Sequence, residues 1–161
     1  MARKNGSRRG FSLTEVMVAL AVFGILMALA APRFEGALAH IRSRGALNRV
    51  AGHLMYTRHL AVRTGGRAWL EIEPSEDCPS PRNGAAGYRY RVKVWPDSQV
   101  VLVNLRLDGA PVCLASNQSS DVVFNSRGLL VGFNNRTMSV SQGNHPPVSL
   151  TVSAVGRVLR N

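Results

Sequence analysis

Glu15 is the side chain whose surroundings most demand a chemical explanation. It closes the segment Gly10-Phe11-Ser12-Leu13-Thr14-Glu15 and stands directly before residues 16–31, VMVALAVFGILMALAA, which hold no charged or hydrogen-bonding side chain. A carboxylate at the edge of such a run costs about 2–3 kcal/mol on membrane-insertion scales. That cost is offset when a positive group pairs with it inside an assembly. The cysteines, Cys78 and Cys113, form the other reactive pair. One pair in a basic chain behind an apolar segment fits a single disulfide in an oxidising compartment, closing a long loop worth about 3–4 kcal/mol. Two unpaired buried thiols are the alternative. A zinc site is disfavoured, because neither cysteine has a histidine or acid at ligand spacing.

His40, His53 and His59 fall in a helical stretch and His145 in a turn, all as packing or surface residues. His53 and His59 lie on opposite sides of a helix. No Ser/His/Asp or Cys/His arrangement and no phosphate-binding glycine loop stands out. The reading is therefore a non-enzyme, with no catalytic residues, no cofactor and no metal. The formal charge is +11, and without the four cations Arg3, Lys4, Arg8 and Arg9 it would be +7. A basic balance of that size favours anionic partners: nucleic acid, phospholipid headgroups or an acidic neighbouring protein.

The elements that must position these residues follow from periodicity. Residues 11–31 would span about 30 Å as a helix, one bilayer core. The basic residues before them hold that end in the cytoplasm and place the rest of the chain outside. The helix is expected to continue past Pro32, with Leu38, Ile41, Leu47, Val50, Ala51, Leu54, Met55 and Ala61 on an apolar face. Arg33, Arg42, Arg49, Arg58 and Arg63 then fall on the other, and the pattern breaks at Arg44-Gly45, which leaves room for a bend. Thr64-Gly65-Gly66 ends it, for a length of about 80 Å. Beyond Gly66 the period becomes two. Strands are expected at 67–73, 87–95, 99–107, 121–125, 129–133, 137–141 and 148–154, with turn residues between them. In the second, Tyr88, Tyr90, Val92 and Val94 share one face and Arg89, Arg91 and Lys93 the other. Residues 78–87, CPSPRNGAAG, read as a loop. The fold class is α+β: a long N-terminal helix packed on an antiparallel β-sheet or sandwich.

Gly10 to Glu15, after a short basic leader and before an apolar helix, resembles the processing site of type IV pilins and type II secretion pseudopilins. Pro32 is also similar to that family's helix proline. Val122-Val123-Phe124-Asn125-Ser126-Arg127-Gly128 looks like the F-x-x-x-G turn of GspH/FimT-type minor pilins, and residues 148–160 resemble their final strand. The resemblance implies a leader, 1–10, removed by a prepilin peptidase after Gly10, with methylation of the new Phe11 amine. It implies a transmembrane and filament-core helix at 11–32, an amphipathic continuation at 33–65 and a β domain at 66–161. Cleavage creates a cationic amine that Glu15 of another subunit can neutralise, which would set the register between helices. Two rivals remain for the same segment: a signal peptide cut after Ala28-Leu29-Ala30, and a signal anchor that is never cut. Neither gives Glu15 a use.

The implied partners are the peptidase, other pilins through the N-terminal helix, and the bacterial inner membrane before assembly. The implied placement is single-pass, with the C-terminal domain periplasmic. DNA is a further candidate, since some FimT-like pilins bind it through a C-terminal Gly-Arg-x-Arg motif. Here Gly156-Arg157-Val158-Leu159-Arg160 has one residue more, so Arg157 and Arg160 would not share a strand face. Arg89, Arg91 and Lys93 are the second candidate DNA surface. Any such binding would run through phosphates and weaken with salt.

Overall fold

Ser12 opens the long helix: its carbonyl accepts hydrogen bonds from Glu15 N (3.1 Å) and Val16 N (3.2 Å). In this computed structural model, residues 12–79, 81, 84–107, 110–118, 121–132, 134–143 and 145–160 are described. Helix α1 runs Leu13–Thr64. Its residues up to Ala37 belong to one unit, and those from Leu38 belong with the β region to a second. The backbone is helical at Pro32 and stays helical through Arg44-Gly45, where the apolar pattern breaks. Gly45 is exposed with open space around it. The missing side chain is thus on the side away from the core, while Ser43, Ala46 and Leu47 keep the packed face continuous.

That face consists of Ala39, Ser43, Ala46, Leu47, Val50, Ala51, Leu54, Thr57 and Ala61, at intervals that follow the 3.6-residue period. Leu38, Ile41 and Met55, expected on it, are exposed instead. They sit a step to the side of the stripe, and the small Ala39 and Ala46 fill the core positions.

The strands are β1 (Ala68–Glu73), β2 (Ala85–Gly87), β3 (Arg89–Val94), β4 (Ser98–Asn104), β5 (Arg106–Leu107), β6 (Ala110–Pro111), β7 (Cys113–Ser116), β8 (Asp121–Phe124), β9 (Arg136–Ser141), β10 (Val148–Val152) and β11 (Val158–Arg160). They form a four-stranded sheet in the order β4-β3-β1-β8, a five-stranded sheet in the order β11-β10-β9-β7-β2, and the small β5-β6 hairpin. All pairings are antiparallel. One core joins the helix to both large sheets, through Val50 and Leu54 with Leu70, Val92, Phe124, Met138 and Leu150.

Three expected strands are different. The 87–95 run divides at Tyr88, with Gly87 ending β2 in the five-stranded sheet and Arg89 opening β3 in the four-stranded one. The 99–107 run divides at Leu105, because the Asn104 Oδ1 accepts Arg106 N at 2.9 Å and turns the chain. Leu105 is then buried, its N–H donating to Tyr88 O. Residues 129–132, the described part of another expected strand, are not a strand. The Asn125 Oδ1 accepts both Arg127 N and Leu129 N at 3.0 Å. This tight turn leaves a bridge from Leu130 to Phe124 before Gly132 at φ +97°.

Candidate assembly and surface sites

Leu13–Ala30 is long and apolar enough to cross a membrane, with mean hydropathy 2.3, and is not buried. Glu15 lies in its first turn, where a negative charge suits the free N–H groups of a helix start. It shares a hollow with Val16, Ala19, Leu20 and Phe23. The carboxylate thus has apolar neighbours along the helix. Gly10 and Phe11 lie outside the described residues.

The cations of β3 are placed across from acids of β1. Glu73 faces Arg89 and Glu71 faces Arg91 in the β1-β3 register. Arg89 pairs with Glu73 at 3.3 Å, Arg91 with both Glu73 and Glu71, and Lys93 with Glu71 at 3.0 Å and Asp97 at 3.2 Å. The hydrogen bonds to Glu71 and then Asp97 raise the Lys93 pKa above its ordinary value. Of the candidate DNA residues, this trio therefore carries charge that is locally balanced. Arg89 also stands over the Tyr88 ring, 5.4 Å from its centroid, with Arg106 over the same ring at 4.9 Å. Tyr88 and Arg89 were expected to face opposite ways. Tyr88 precedes β3 rather than lying in it, which leaves its ring free to meet both guanidinium groups.

At the other end of the sequence, Arg157 and Arg160 are exposed. Arg160 is opposite Leu150 in the β10-β11 register, whereas Arg157 sits in the preceding turn with its N–H on the Ser153 Oγ at 3.1 Å. That turn packs on another. Gly128 (φ +73°) and Gly156 (φ +75°) both take the left-handed conformation, and a Cβ at Gly156 would run into the Gly128 carbonyl. Arg58 reaches between them, its Nε donating to Gly128 O at 3.0 Å. Arg58 was expected on the outward arginine face. Its side chain instead bends over the rim of the packed face, a role that the helical pattern alone does not signal.

His53 is a second residue whose role the sequence leaves open between packing and surface. Its Nδ1 is 2.6 Å from the hydroxyl of the buried Tyr90. Desolvation, and then the nearby Arg49 charge, lower the His53 pKa below 6.5. Burial pushes the Tyr90 phenol well above its ordinary value, against a smaller opposite effect of Arg49. Cys78 and Cys113 form the disulfide, with Cα atoms 5.5 Å apart. Ala86 is buried beside them, with Tyr88 and Ala115 packed against the group.

A long N-terminal helix followed by antiparallel sheets, with an exposed apolar first segment, defines a pilin-like α+β protein. Residues 46–156 match the family described as type II transport protein GspH, and residues 5–31 match the prokaryotic N-terminal methylation motif. The chain belongs to the GspH family, whose pilin and pseudopilin members are structural subunits and not enzymes. The fold is similar to that of the type IV minor pilin FimU of Pseudomonas aeruginosa, solved in two crystal forms. One gives a TM-score of 0.58 at 17% identity, covering 73% of this chain and 87% of that one. The other gives 0.52 at 19% identity, covering 73% and 91%. No protein of curated function matches the chain.

Proposed function

We propose that this protein is a minor pilin or pseudopilin, a structural and assembly-priming subunit of a type IV pilus or a type II secretion pseudopilus. It is made as a precursor, cut after Gly10 by a prepilin peptidase and methylated on the new Phe11 amine. Its apolar helix holds it in the inner membrane, with the β domain on the periplasmic side, until it joins other subunits. The observation that carries this reading is the exposed apolar helix Leu13–Ala30 with Glu15 in its first turn, inside a methylation-motif match. A carboxylate there has no use in a discarded signal peptide. It has one if the amine of a neighbouring Phe11 comes within reach, since a charge removed from water is tolerated when paired.

N-terminal mass analysis of the membrane-extracted protein tests the reading. The expected mature chain begins at methylated Phe11, and Gly10→Ala leaves the leader attached. A chain beginning at residue 31, or an uncut one in cells with an active prepilin peptidase, would defeat it.

A further inference from the structure

The acids and bases of the β domain are unevenly placed. Glu71, Glu73, Asp77 and Asp97 have their ion-pair partners along β3 and at Arg106. The end of the domain where α1 stops has a different character. A groove of about 520 Å³ is lined there by Gly65, Gly66, Arg67, Trp95, Asn125 and Ser126. Trp95 is 65% exposed, high for the largest apolar side chain. Arg127 follows Ser126 in the same turn, and Gly156, which lies close against the Gly128 carbonyl, immediately precedes Arg157. Arg58 is anchored to that turn through its Nε, with its side chain still exposed. Val62 and Val155, at 51% and 60% exposure, add apolar surface nearby. Among the described residues, none that lines the groove or forms the two turns is acidic.

An exposed tryptophan among arginines is the composition of a protein-interface anchor. We infer that this end of the domain docks an acidic segment of a partner protein, with Trp95 as the apolar anchor and Arg67, Arg127 and Arg157 as the carboxylate-binding groups. Charge complementarity sets the sign of the partner, because a guanidinium fork matches a carboxylate bidentately. Single-stranded nucleic acid fits less well, since it needs successive aromatic platforms for stacking. Among the described residues one aromatic, Trp95, lines the groove, while Tyr90 and Phe124 are buried. The inference goes beyond assembly through the N-terminal helix, and its failure would leave the Phe11 mass result unaffected.

The test uses the full chain in detergent and titration calorimetry with three probes: a short poly-glutamate peptide, poly-glutamine of equal length, and single-stranded oligothymidylate of matched charge. Poly-glutamate is expected to bind with an affinity that falls as salt rises. Trp95→Ala, and separately Arg127→Glu with Arg157→Glu, should each weaken it by about tenfold or more, the weight of an interface anchor. Arg89→Gln, in the paired ladder, should change it by less than about twofold. Circular dichroism melting of each variant establishes that the fold is retained. Equal binding of poly-glutamine, or an affinity indifferent to Trp95 or to the charge reversals, overturns the inference. Tighter binding of the oligonucleotide than of poly-glutamate also overturns it and assigns the surface to nucleic acid.

Discussion

Glu15 and His53 are ionisable groups in opposite situations. Glu15 sits on an unburied helix among apolar side chains. Replacing it by Ala or Val should leave membrane insertion intact or improved, since it removes a penalty of about 2–3 kcal/mol. If the carboxylate pairs with a Phe11 amine, the same change strands a charge at about 3–5 kcal/mol. The variant should then be depleted from sheared filament or pseudopilus fractions while remaining in the membrane; normal incorporation would end the pairing argument. His53 is held neutral, because desolvation and Arg49 lower its pKa in the folded chain. The unfolded chain therefore binds more protons below pH 6.5. Stability should be level above that pH, fall as the pH drops through it, and level off once the native imidazole is protonated. His53→Gln should flatten that acid limb in pH-dependent melting, and an unchanged limb would show that another group causes it. Glu15 was legible in the sequence because its contrast with its neighbours is local. The role of His53 was not, because Tyr90 is 37 positions away.

Among the elements, the stacked turns depend on backbone conformations that side chains disfavour. At Gly128, φ is +73° and a Cβ would press on the Arg58 side chain and Val62. Arg58 can shift, so Gly128→Ala should cost about 1–2 kcal/mol, the ordinary left-handed penalty. At Gly156 the obstacle is the Gly128 carbonyl, which belongs to the backbone. Gly156→Ala should cost more, about 3 kcal/mol or above, because it adds displacement of one turn to the strain of the other. Thermal melting of the two variants checks the order, and equal losses would contradict it. The Phe124 to Gly128 motif marked the first of these turns in the sequence, and Gly156 was part of the tail motif. What joins them, Arg58, was hidden on a helix with many arginines. The strands divide similarly. β3 showed a clean alternation and was readable. β2 and β7 are made of Ala, Gly, Ser, Cys and Leu, with little β-branched character. They became strands by pairing, β2 with β7 at Ala86 opposite Ala115, and β7 in turn with β9. At Gly87 the Glu73 carbonyl approaches too closely for any side chain.

For the molecule as a whole, the hydrophobic core is not shared evenly. The main core joins α1 to both large sheets, whereas Cys78, Ala86 and Cys113 form a small separate group. That group has little apolar area, so its order depends on the disulfide and on a few backbone bonds, among them Ser75 N to Ala86 O and Cys78 N to Ser75 O. The two cysteines made a bridge plausible from sequence. Cys78 at the start of a loop was legible too; that its partner Cys113 lies on β7 required the fold. A link closing a loop of 35 positions is worth about 3–4 kcal/mol through the unfolded chain. Cys78→Ser with Cys113→Ser should therefore lower stability by about that amount in urea titration of the extracted protein. The loss should be visible locally before it is global. Limited proteolysis should cut first in the segment following Cys78, while amides of β1, β3 and β9 stay protected from hydrogen exchange. Uniform loss of protection across the domain would mean that the small group is continuous with the main core, and unchanged stability would mean that the bridge contributes nothing to it.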